Sequence, residues 1–401
     1  MRFAGMLAVA LAAVALAAVV LRPAVSEPAG GSPRAKGPTV YAWFPRDFNN
    51  WDTRAIDWSA LTHVCFRSVV LQPDGTLKEP VSRSDVKALV NEAHAHGVKV
   101  TVLVWGTDSA GSSRYLAHHA EEAVQSLLEY VKANDLDGVN MDDETWRATN
   151  GETGGPNREP VTRFFRLLHE AFKEARPDYH LSWASPPVVS ADDPYGASWI
   201  DYEAVAELVD ALAIMSYTMN PPTIGWTTGA QPVEGGGKVK GHPRDYVTCI
   251  RDYVHATGGR AEKLLLGLSN YRGGTEWTCR SGEPLSPIIG KPRKLTPEQA
   301  RANADRHGRR FDPRQKVPWY CYREDEGWVQ GWYEDEESLA AKLELVEAHG
   351  LQGICIWVLD GAAEPPSTFE LLRKHLAPGA VPTPSRDDAH AGDSPADRNR
   401  P

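Results

Sequence analysis

The stretch from Leu136 to Glu144 holds the residues best suited to chemistry. An apolar run ends there in polar and acidic side chains, with Asn140, Asp142 and Glu144 at alternate positions. Because side chains alternate across a strand, we expect these three on one face and Asp143 on the other. Alternate positions lie roughly 6.5 to 7 Å apart, so the two acids can address one small substrate. Such a pair favours one protonated carboxyl group, which is the proton donor that a glycosidase requires.

An acidic strand end can also serve two different purposes. Carboxylates in this position bind Mg²⁺ or Ca²⁺ in some proteins and merely solvate a loop in others. His94 and His96 do not indicate a metal site, because they close a helical pattern whose C-terminal dipole favours them and Gly97 supplies a left-handed cap. The cysteines have no metal-ligand spacing. We therefore expect no metal and no cofactor.

Length and charge narrow the class of protein. The 401 residues suffice for one large barrel or two ordinary domains, and a hydrophobic fraction of 42% is ample for a core. The formal net charge is −10, and no basic block interrupts the sequence. This charge argues against nucleic acid as a partner, whereas a neutral sugar meets no electrostatic penalty. We expect a monomer.

Both ends of the chain look like targeting or linker segments. Residues 1–26 carry an early positive charge, an apolar run and then small residues, which indicates a secretory signal peptide or, if it is not cleaved, a membrane anchor. In either case we expect the folded part outside the cytoplasm. Residues 27–38 have the composition of a Gly/Pro/Ser linker, and residues 378–401 that of a disordered tail.

The five cysteines are too few for a disulfide scaffold. Cys65 and Cys355 lie in apolar strand-like runs and are expected to be buried free thiols. Cys279 and Cys321 flank one loop-rich region and could pair in an oxidising compartment, although the sequence does not assign that bond.

Short apolar runs alternate with helical patterns across residues 39–377. Eight strands are predicted: Val40–Phe44, His63–Leu71, Val98–Trp105, Gly138–Glu144, His180–Ala184, Ala211–Tyr217, Leu264–Tyr271 and Gly353–Leu359. Helices are predicted at Ser84–His96, Ala117–Ala133, Val161–Ala175, Ile200–Leu208, Tyr246–Thr257, Glu336–His349 and Ser367–His375. Strands alternating with helices in this way predict an α/β fold, a (β/α)₈ TIM barrel.

The motif on the fourth predicted strand is similar to a known family signature. Asp137-Gly138-x-Asn140-x-Asp142-x-Glu144 resembles the D-G-x-D-x-D-x-E pattern of glycoside hydrolase family 18, the chitinases and N-acetylglucosaminidases. The one departure is Asn140, and that variant resembles the di-N-acetylchitobiase branch. The resemblance covers about residues 40–376.

Other strand ends carry further parts of the resemblance. Met215-Ser216-Tyr217-Thr218 on the sixth strand is similar to the M-x-Y-D motif, in which the Tyr bonds the substrate's N-acetyl group, although Thr218 replaces the Asp. Trp357 on the eighth strand matches the Trp that forms the floor under the sugar to be cleaved. The first and seventh strands match more loosely and add Tyr41 and Tyr271 as expected substrate-binding residues. Trp105, which closes the third strand, is expected to be either a second sugar platform or part of the core. In a TIM barrel such strand ends form the active site.

The family resemblance also implies an inserted subdomain. Residues 273–330 are longer than an ordinary βα loop and fall between the seventh and eighth strands, where family members often carry a small α+β insertion. We expect its aromatic residues to be subdomain core more often than sugar platforms. They are Trp277, Trp319, Tyr320, Tyr322 and Trp328.

The resemblance implies hydrolysis of β-linked N-acetylglucosamine oligosaccharides by substrate-assisted retention. Glu144 would be the general acid and then the base, Asp142 would orient the acetamido group, and Tyr217 would hold its oxygen. Asn140 cannot ionise, but it can donate a hydrogen bond to Asp142. Two alternatives remain: an endo-acting N-glycan or cell-wall glucosaminidase with the same acids, and a non-catalytic chitin-binding lectin. The retained Glu144 argues against the lectin.

Overall fold

The computed structural model describes residues 37–44, 56–79, 81–147, 158–189, 200–219, 227–269, 274–324, 327–359 and 366–376. The predicted signal peptide and tail and most of the predicted linker lie outside these residues, and so does Tyr271. Within the described part of the chain, no helix combines the length and the apolar character needed to cross a membrane.

Eight parallel strands form a closed barrel. They are β1 (Thr39–Trp43), β2 (His63–Leu71), β3 (Lys99–Trp105), β4 (Gly138–Met141), β5 (His180–Ser185), β6 (Ala211–Ile214), β7 (Leu264–Ser269) and β8 (Gly353–Trp357). Each strand pairs in parallel with the next, and β8 pairs with β1, which closes the sheet. The predicted TIM barrel is confirmed, and the C-terminal ends of all eight strands meet at one mouth.

Helices connect the strands around the outside of the barrel. They are α1 (Arg83–Ala95), α2 (Ser109–His118), α3 (Ala120–Ala133), α4 (Arg158–Ala175), α5 (Tyr202–Leu208), α6 (Tyr246–Ala256), α8 (Glu336–Ala348) and α9 (Pro366–Leu376), with α7 (Pro297–His307) in the insertion. The helix predicted at Ala117–Ala133 is present as α3, which begins three residues later at Ala120, whereas α2 before it was not predicted. Asp108 caps a separate helix α2, because its side chain accepts a hydrogen bond from Gly111 N, and the backbone breaks at His119.

The predicted α+β insertion is present between β7 and β8. Its antiparallel sheet has the strand order Arg293–Lys294, Gly274–Cys279, Gly327–Tyr333, Val317–Glu324 and Arg310–Asp312, and α7 packs against it. The sheet buries Trp277, Trp319 and Trp332, and the last two rings stack with centroids 5.2 Å apart. The expectation that most of these aromatic residues form subdomain core therefore holds.

The cysteines are buried free thiols throughout the described residues. The prediction for Cys65 and Cys355 is confirmed. Cys279 and Cys321 do not pair, because the strand Gly327–Tyr333 runs between their two strands, with Cys279 opposite Trp328 and Cys321 opposite Gln330. Two inter-strand spacings, roughly 9 to 10 Å, exceed the Cα separation that a disulfide spans.

The N-terminal end of the barrel is fixed by Asp137, the first residue of the acidic motif. Its carboxylate accepts hydrogen bonds from Val100 N (2.8 Å), from Arg176 (3.0 Å) and from His94 Nε2 (2.7 Å). Helix α1 ends at Ala95, and Gly97 has a left-handed φ of 72°. His94 is therefore structural, as predicted, and it ties the end of α1 to the start of β4.

Two imidazoles lie in contact inside this end of the barrel, with their planes tilted by 43°. The ring centroids of His63 and His180 lie 4.5 Å apart, and Tyr41 packs against both rings. Burial lowers the pKa of His63 and lowers that of His180 to about 3, so both are neutral at pH 7. Both positively and negatively charged side chains lie near the two histidines: Lys99, Lys173, Lys263, Asp137 and Asp210.

We predict that acid destabilises the fold through this pair. A folded-state pKa below the unfolded value gives stability that is complete above the unfolded pKa and is lost as pH falls below it. For His180 the loss between pH 7 and pH 4.5 is on the order of 2 kcal/mol, since one pKa unit corresponds to about 1.4 kcal/mol. Urea unfolding across this range should therefore show that the stability difference between wild type and His180→Gln narrows as pH falls. Parallel curves would contradict the prediction.

Candidate active site

The acidic motif lies at the mouth of the barrel, but the strand that carries it is shorter than predicted. β4 ends at Met141, and Glu144 begins a one-turn 3₁₀ helix, Glu144–Arg147. The alternation of faces holds as far as Asp143. Glu144 is therefore not a strand residue, and its side chain is exposed at the turn that follows the strand.

Asn140 points into the barrel and is fully buried. Trp43 Nε1 donates to Asn140 Oδ1 at 3.2 Å, and Asn140 Nδ2 donates to Ser182 Oγ at 2.8 Å. An indole N–H can only donate, so the carboxamide oxygen must face Trp43. The expected hydrogen bond from Asn140 to Asp142 is absent between these two described residues, because the amide N–H is directed to Ser182 on the neighbouring strand β5.

Asp142 receives its hydrogen bond from a different neighbour. Trp105 Nε1 donates to Asp142 Oδ2 at 2.8 Å, and the carboxylate is largely buried, with 8% of the residue exposed. Trp105 is the last residue of β3 and is half-buried. The structure therefore brings Trp105 to the site as predicted, but it gives the indole a hydrogen-bonding contact with the acid. This charge-assisted bond favours the ionised form of the carboxylate.

Tyr217 and Trp357 form an aromatic pair at the same mouth. Their rings stack with centroids 6.3 Å apart and planes 16° from parallel, and Trp43 contacts both rings at 6.4 Å and 5.9 Å. β6 ends at Ile214, so Tyr217 lies in a short 3₁₀ helix, Ser216–Thr218, preceded by Met215. Trp43 therefore joins the acidic motif to the aromatic pair.

Two details differ from the expected pattern of the sixth and first strands. Thr218 Oγ1 donates to Met215 O at 3.1 Å, which caps the 3₁₀ turn, so it does not replace the contact of a carboxylate. Tyr41 is fully buried, and its hydroxyl bonds Thr101 Oγ1 at 2.6 Å. The expectation that Tyr41 binds substrate is wrong, because its register beside His63 and Cys355 sets it one layer below Trp43.

A cleft of about 580 Å³ opens over the aromatic pair. Tyr217 and Trp357 line one part of it, and the insertion supplies another wall that includes Trp277 and Trp332. Sequence reasoning missed several polar lining residues: Gln231, Ser269, Thr275, Lys294 and Glu334. Nothing in their local sequence marked them, because they reach the cleft only through the folding of loops and the insertion against the barrel.

Asp143 is the residue whose importance the sequence did not reveal. It is buried, and its Oδ2 accepts from Ser112 Oγ (2.5 Å) and Tyr115 OH (2.8 Å) on α2. Its Oδ1 accepts from Thr145 N (3.0 Å) and Thr145 Oγ1 (2.5 Å). Asp143 therefore anchors the turn that carries Glu144 to helix α2.

Gly106 is required by the same network. A Cβ atom at position 106 would lie 2.1 Å from Asp143 Oδ2 and 2.3 Å from Ser112 Oγ. No real side chain approaches so closely, so the residue after Trp105 must be glycine if the carboxylate is to reach α2.

We predict that Asp143→Ala lowers the free energy of unfolding by about 3 kcal/mol, because buried hydroxyl and amide donors lose their acceptor. Chemical denaturation of the purified variant measures this change. Glu174→Ala, which removes an exposed acid from α4, is the matched control and should change stability by no more than about 0.5 kcal/mol. Equal effects of the two substitutions would show that the Asp143 network contributes no special stability.

Known proteins have sequences related to that of this chain. The chain is 24% identical to the cortical fragment-lytic enzyme of Bacillus anthracis, over 76% of this chain and 66% of that protein. It is 23% identical to the di-N-acetylchitobiase of Mus musculus, over 58% of this chain and 63% of that protein. The chain thus spans about two thirds of the length of these relatives.

A solved structure shares the fold of this chain, and a family model matches its sequence. The crystal structure of Ostrinia furnacalis Group IV chitinase superposes with a TM-score of 0.70 at 19% identity, covering 84% of this chain and 99% of that one. The model described as glycosyl hydrolases family 18 matches residues 41–362, which include β4, the aromatic pair and the insertion. The chain therefore belongs to glycosyl hydrolase family 18.

Proposed function

We propose that this protein is a glycoside hydrolase that cleaves β-linked N-acetylglucosamine oligosaccharides with retention of configuration. The observation that carries the proposal is the meeting of the acidic motif and the Tyr217–Trp357 pair around Trp43 at the mouth of the barrel. Polar groups that handle protons thus lie beside aromatic faces that fit a sugar ring. The chitinase and chitobiase names of the relatives support the same substrate class.

Glu144 is the proposed general acid and base. Its exposed position after the end of β4 leaves it accessible to a glycosidic oxygen, and the anchored Asp143 and Thr145 on either side restrict its backbone. It would protonate the leaving oxygen and then activate water. Family 18 is among the exceptions to the two-carboxylate scheme, so the acetamido oxygen of the substrate would attack C1 and form an oxazolinium intermediate.

Asp142 and Tyr217 are proposed to act on the acetamido group. A carboxylate that accepts the Trp105 N–H is suited to orient the N-acetyl N–H and to stabilise the positive charge of the intermediate. The Tyr217 hydroxyl would hold the acetamido oxygen, while Trp357 and Met215 would support the sugar ring from below. Asn140 is then a positioning residue, since full burial keeps it from the substrate.

We also propose an extracytoplasmic location and a monomeric state. The apolar N-terminal segment supports export, and membrane attachment applies only if that segment stays uncleaved. A barrel of this family with its own insertion is a complete folding unit, so residues 39–377 are proposed as one catalytic domain.

We predict that Glu144→Gln lowers kcat by about 10³-fold, because an amide cannot donate the catalytic proton. The KM should change little if the fold and the cleft are intact. Hydrolysis of chitooligosaccharides of two to six units, followed by NMR of the newly formed anomer, measures both the rate and the stereochemistry. Glu174→Gln is the control for an exposed acid far from the mouth.

Release of the β-anomer by wild type supports substrate-assisted retention, and the product lengths distinguish removal of terminal sugars from internal cleavage. Release of the α-anomer would contradict the mechanism. Binding without turnover by wild type would instead support the lectin, and turnover of an N-glycan or cell-wall chain alone would support an endo-acting glucosaminidase.

We predict that Asn140→Asp retains activity but changes the alkaline limb of the pH profile of kcat/KM. A carboxylate at this buried position adds a second titrating group close to Asp142, and two such groups titrate together. The measurement is kcat/KM from pH 4 to pH 9 for both proteins. Superimposable profiles would show that position 140 is not coupled to the catalytic acids.

A further inference from the structure

The insertion carries a second concave surface, which we name the insertion groove. It has a volume of about 620 Å³ and lies between helix α7 and the strands Arg293–Lys294 and Val317–Glu324. Its polar lining is dominated by cations. They are Arg293, Lys294, Arg306 and Arg323, with His307 beside them and Glu324 as the one acid among the described lining residues. This groove is not used by the proposed catalytic mechanism.

The charge of the insertion is opposite to that of the whole chain. Residues 274–333 hold eleven Lys and Arg against eight Asp and Glu, a net charge of +3, whereas the whole chain carries −10. The local charge at this groove therefore favours an anion, whereas the net charge of the whole chain opposes one.

Buried side chains hold part of the groove in place. Glu276 is only 2% exposed, and its carboxylate accepts hydrogen bonds from Arg293, from Tyr320 and from Asn303 Nδ2 at 2.8 Å. Arg293 also donates to Tyr322 OH at 3.3 Å, while most of its side chain stays exposed. The guanidinium group is thus oriented before any ligand arrives, which lowers the entropic cost of binding.

A second contact orders the opposite wall of the groove. The rings of His307 on α7 and Tyr322 on the sheet stack with centroids 3.9 Å apart and planes 13° from parallel. Arg306, an exposed neighbour of His307 on α7, therefore extends from a fixed point at the groove. Arg323 follows Tyr322 on the strand, so its side chain turns to the other face of the sheet, where its guanidinium lies 5.6 Å from the centroid of the Trp328 ring.

The insertion groove adjoins the catalytic cleft. Lys294 and Leu295 line both, and Lys294 Nζ donates to Thr275 Oγ1 at 3.2 Å, another residue of the cleft wall. A substituent on a sugar bound next to Leu295 would therefore lie close to the groove.

We propose that the insertion groove binds carboxylate groups carried by the glycan substrate. This inference rests on the proposed function and narrows its substrate class to acidic N-acetylated glycans whose sugars or side branches bear carboxylates. The planar fork of an arginine matches a carboxylate through two parallel hydrogen bonds. The groove is much larger than one carboxylate, so it accommodates a branch that carries more than one.

The test compares two tetrasaccharides of the same length. One is neutral chitotetraose, and the other carries a 3-O-lactyl carboxylate on alternate sugars. We expect wild type to have a kcat/KM about tenfold higher for the acidic tetrasaccharide, equivalent to about 1.4 kcal/mol. The double variant Lys294→Gln/Arg306→Gln should lose this preference, and raising the salt concentration to about 200 mM should weaken it in wild type.

A matched control removes the same charge elsewhere in the insertion. Arg301→Gln/Arg314→Gln should keep the preference, because Arg301 faces Glu336 and Arg314 faces Glu234, outside the groove. Equal losses in both double variants would overturn the site and leave only a general field effect. A chitotetraose carrying 6-O-sulfate groups that matches the acidic tetrasaccharide would overturn the assignment to carboxylates.

Calorimetric binding of the same tetrasaccharides to Glu144→Gln separates this inference from the proposed function. Tighter binding of the acidic tetrasaccharide that is lost in the groove variant supports the groove even if neither tetrasaccharide is hydrolysed. Equal binding of both overturns it, whatever the enzyme hydrolyses.

Discussion

The hydrogen bond from the Trp43 indole to Asn140 is the interaction on which the arrangement of the mouth depends. Trp43 and Asn140 are both buried in the barrel, so leaving the polar atoms of either side chain without a partner would be costly. Trp43 can only donate, so the amide of Asn140 must turn its N–H groups toward Ser182. The ring of Trp43 also contacts Tyr217 and Trp357. One fixed indole thus orients both halves of the site.

The two faces of β4 make different contacts at the end of the strand. Asn140 and Asp142 point inward, where Trp43 and Trp105 donate to them, while Asp143 points outward and receives donors from α2 and from the following turn. Because consecutive acids face opposite sides, their charges are held apart by the backbone. Reactive groups therefore occupy one side, and the support that positions them occupies the other.

The sequence was sufficient for the barrel because periodic burial decides which segments form strands. The second predicted strand matches the observed one over its whole length, and the other seven differ only at their ends. The fourth and sixth strands were each overextended by three residues, the fourth because a run of acids carries no signal for where pairing stops. Helix α7 was missed, although Thr296 and Gln299 form a capping box with Pro297 at the first position. Helix α7 has few apolar residues, so the sequence shows no clear helical periodicity there.

The site was less predictable for a different reason. The types of Asp142, Glu144, Tyr217 and Trp357 indicated their place at strand ends, but hydrogen-bond partners depend on neighbours distant in the chain. Trp105 and Asp142 are 37 residues apart, and Asp143 and Ser112 are 31 apart. No local pattern encodes such pairs. The insertion groove likewise arises only when α7 folds against its sheet.

The buried thiols can report local unfolding of the parts of the molecule that contain them. Cys65 and Cys355 lie in the barrel interior, Cys249 lies on α6, and Cys279 and Cys321 lie in the insertion. Burial raises the pKa of Cys65 to about 12, so in the closed state this sulfur is both inaccessible and protonated. Alkylation at each position therefore requires local unfolding of its own layer. The rate of modification of each thiol can be followed by mass spectrometry of the peptides. These rates would distinguish local unfolding of the insertion from local unfolding of the barrel, without any engineered label.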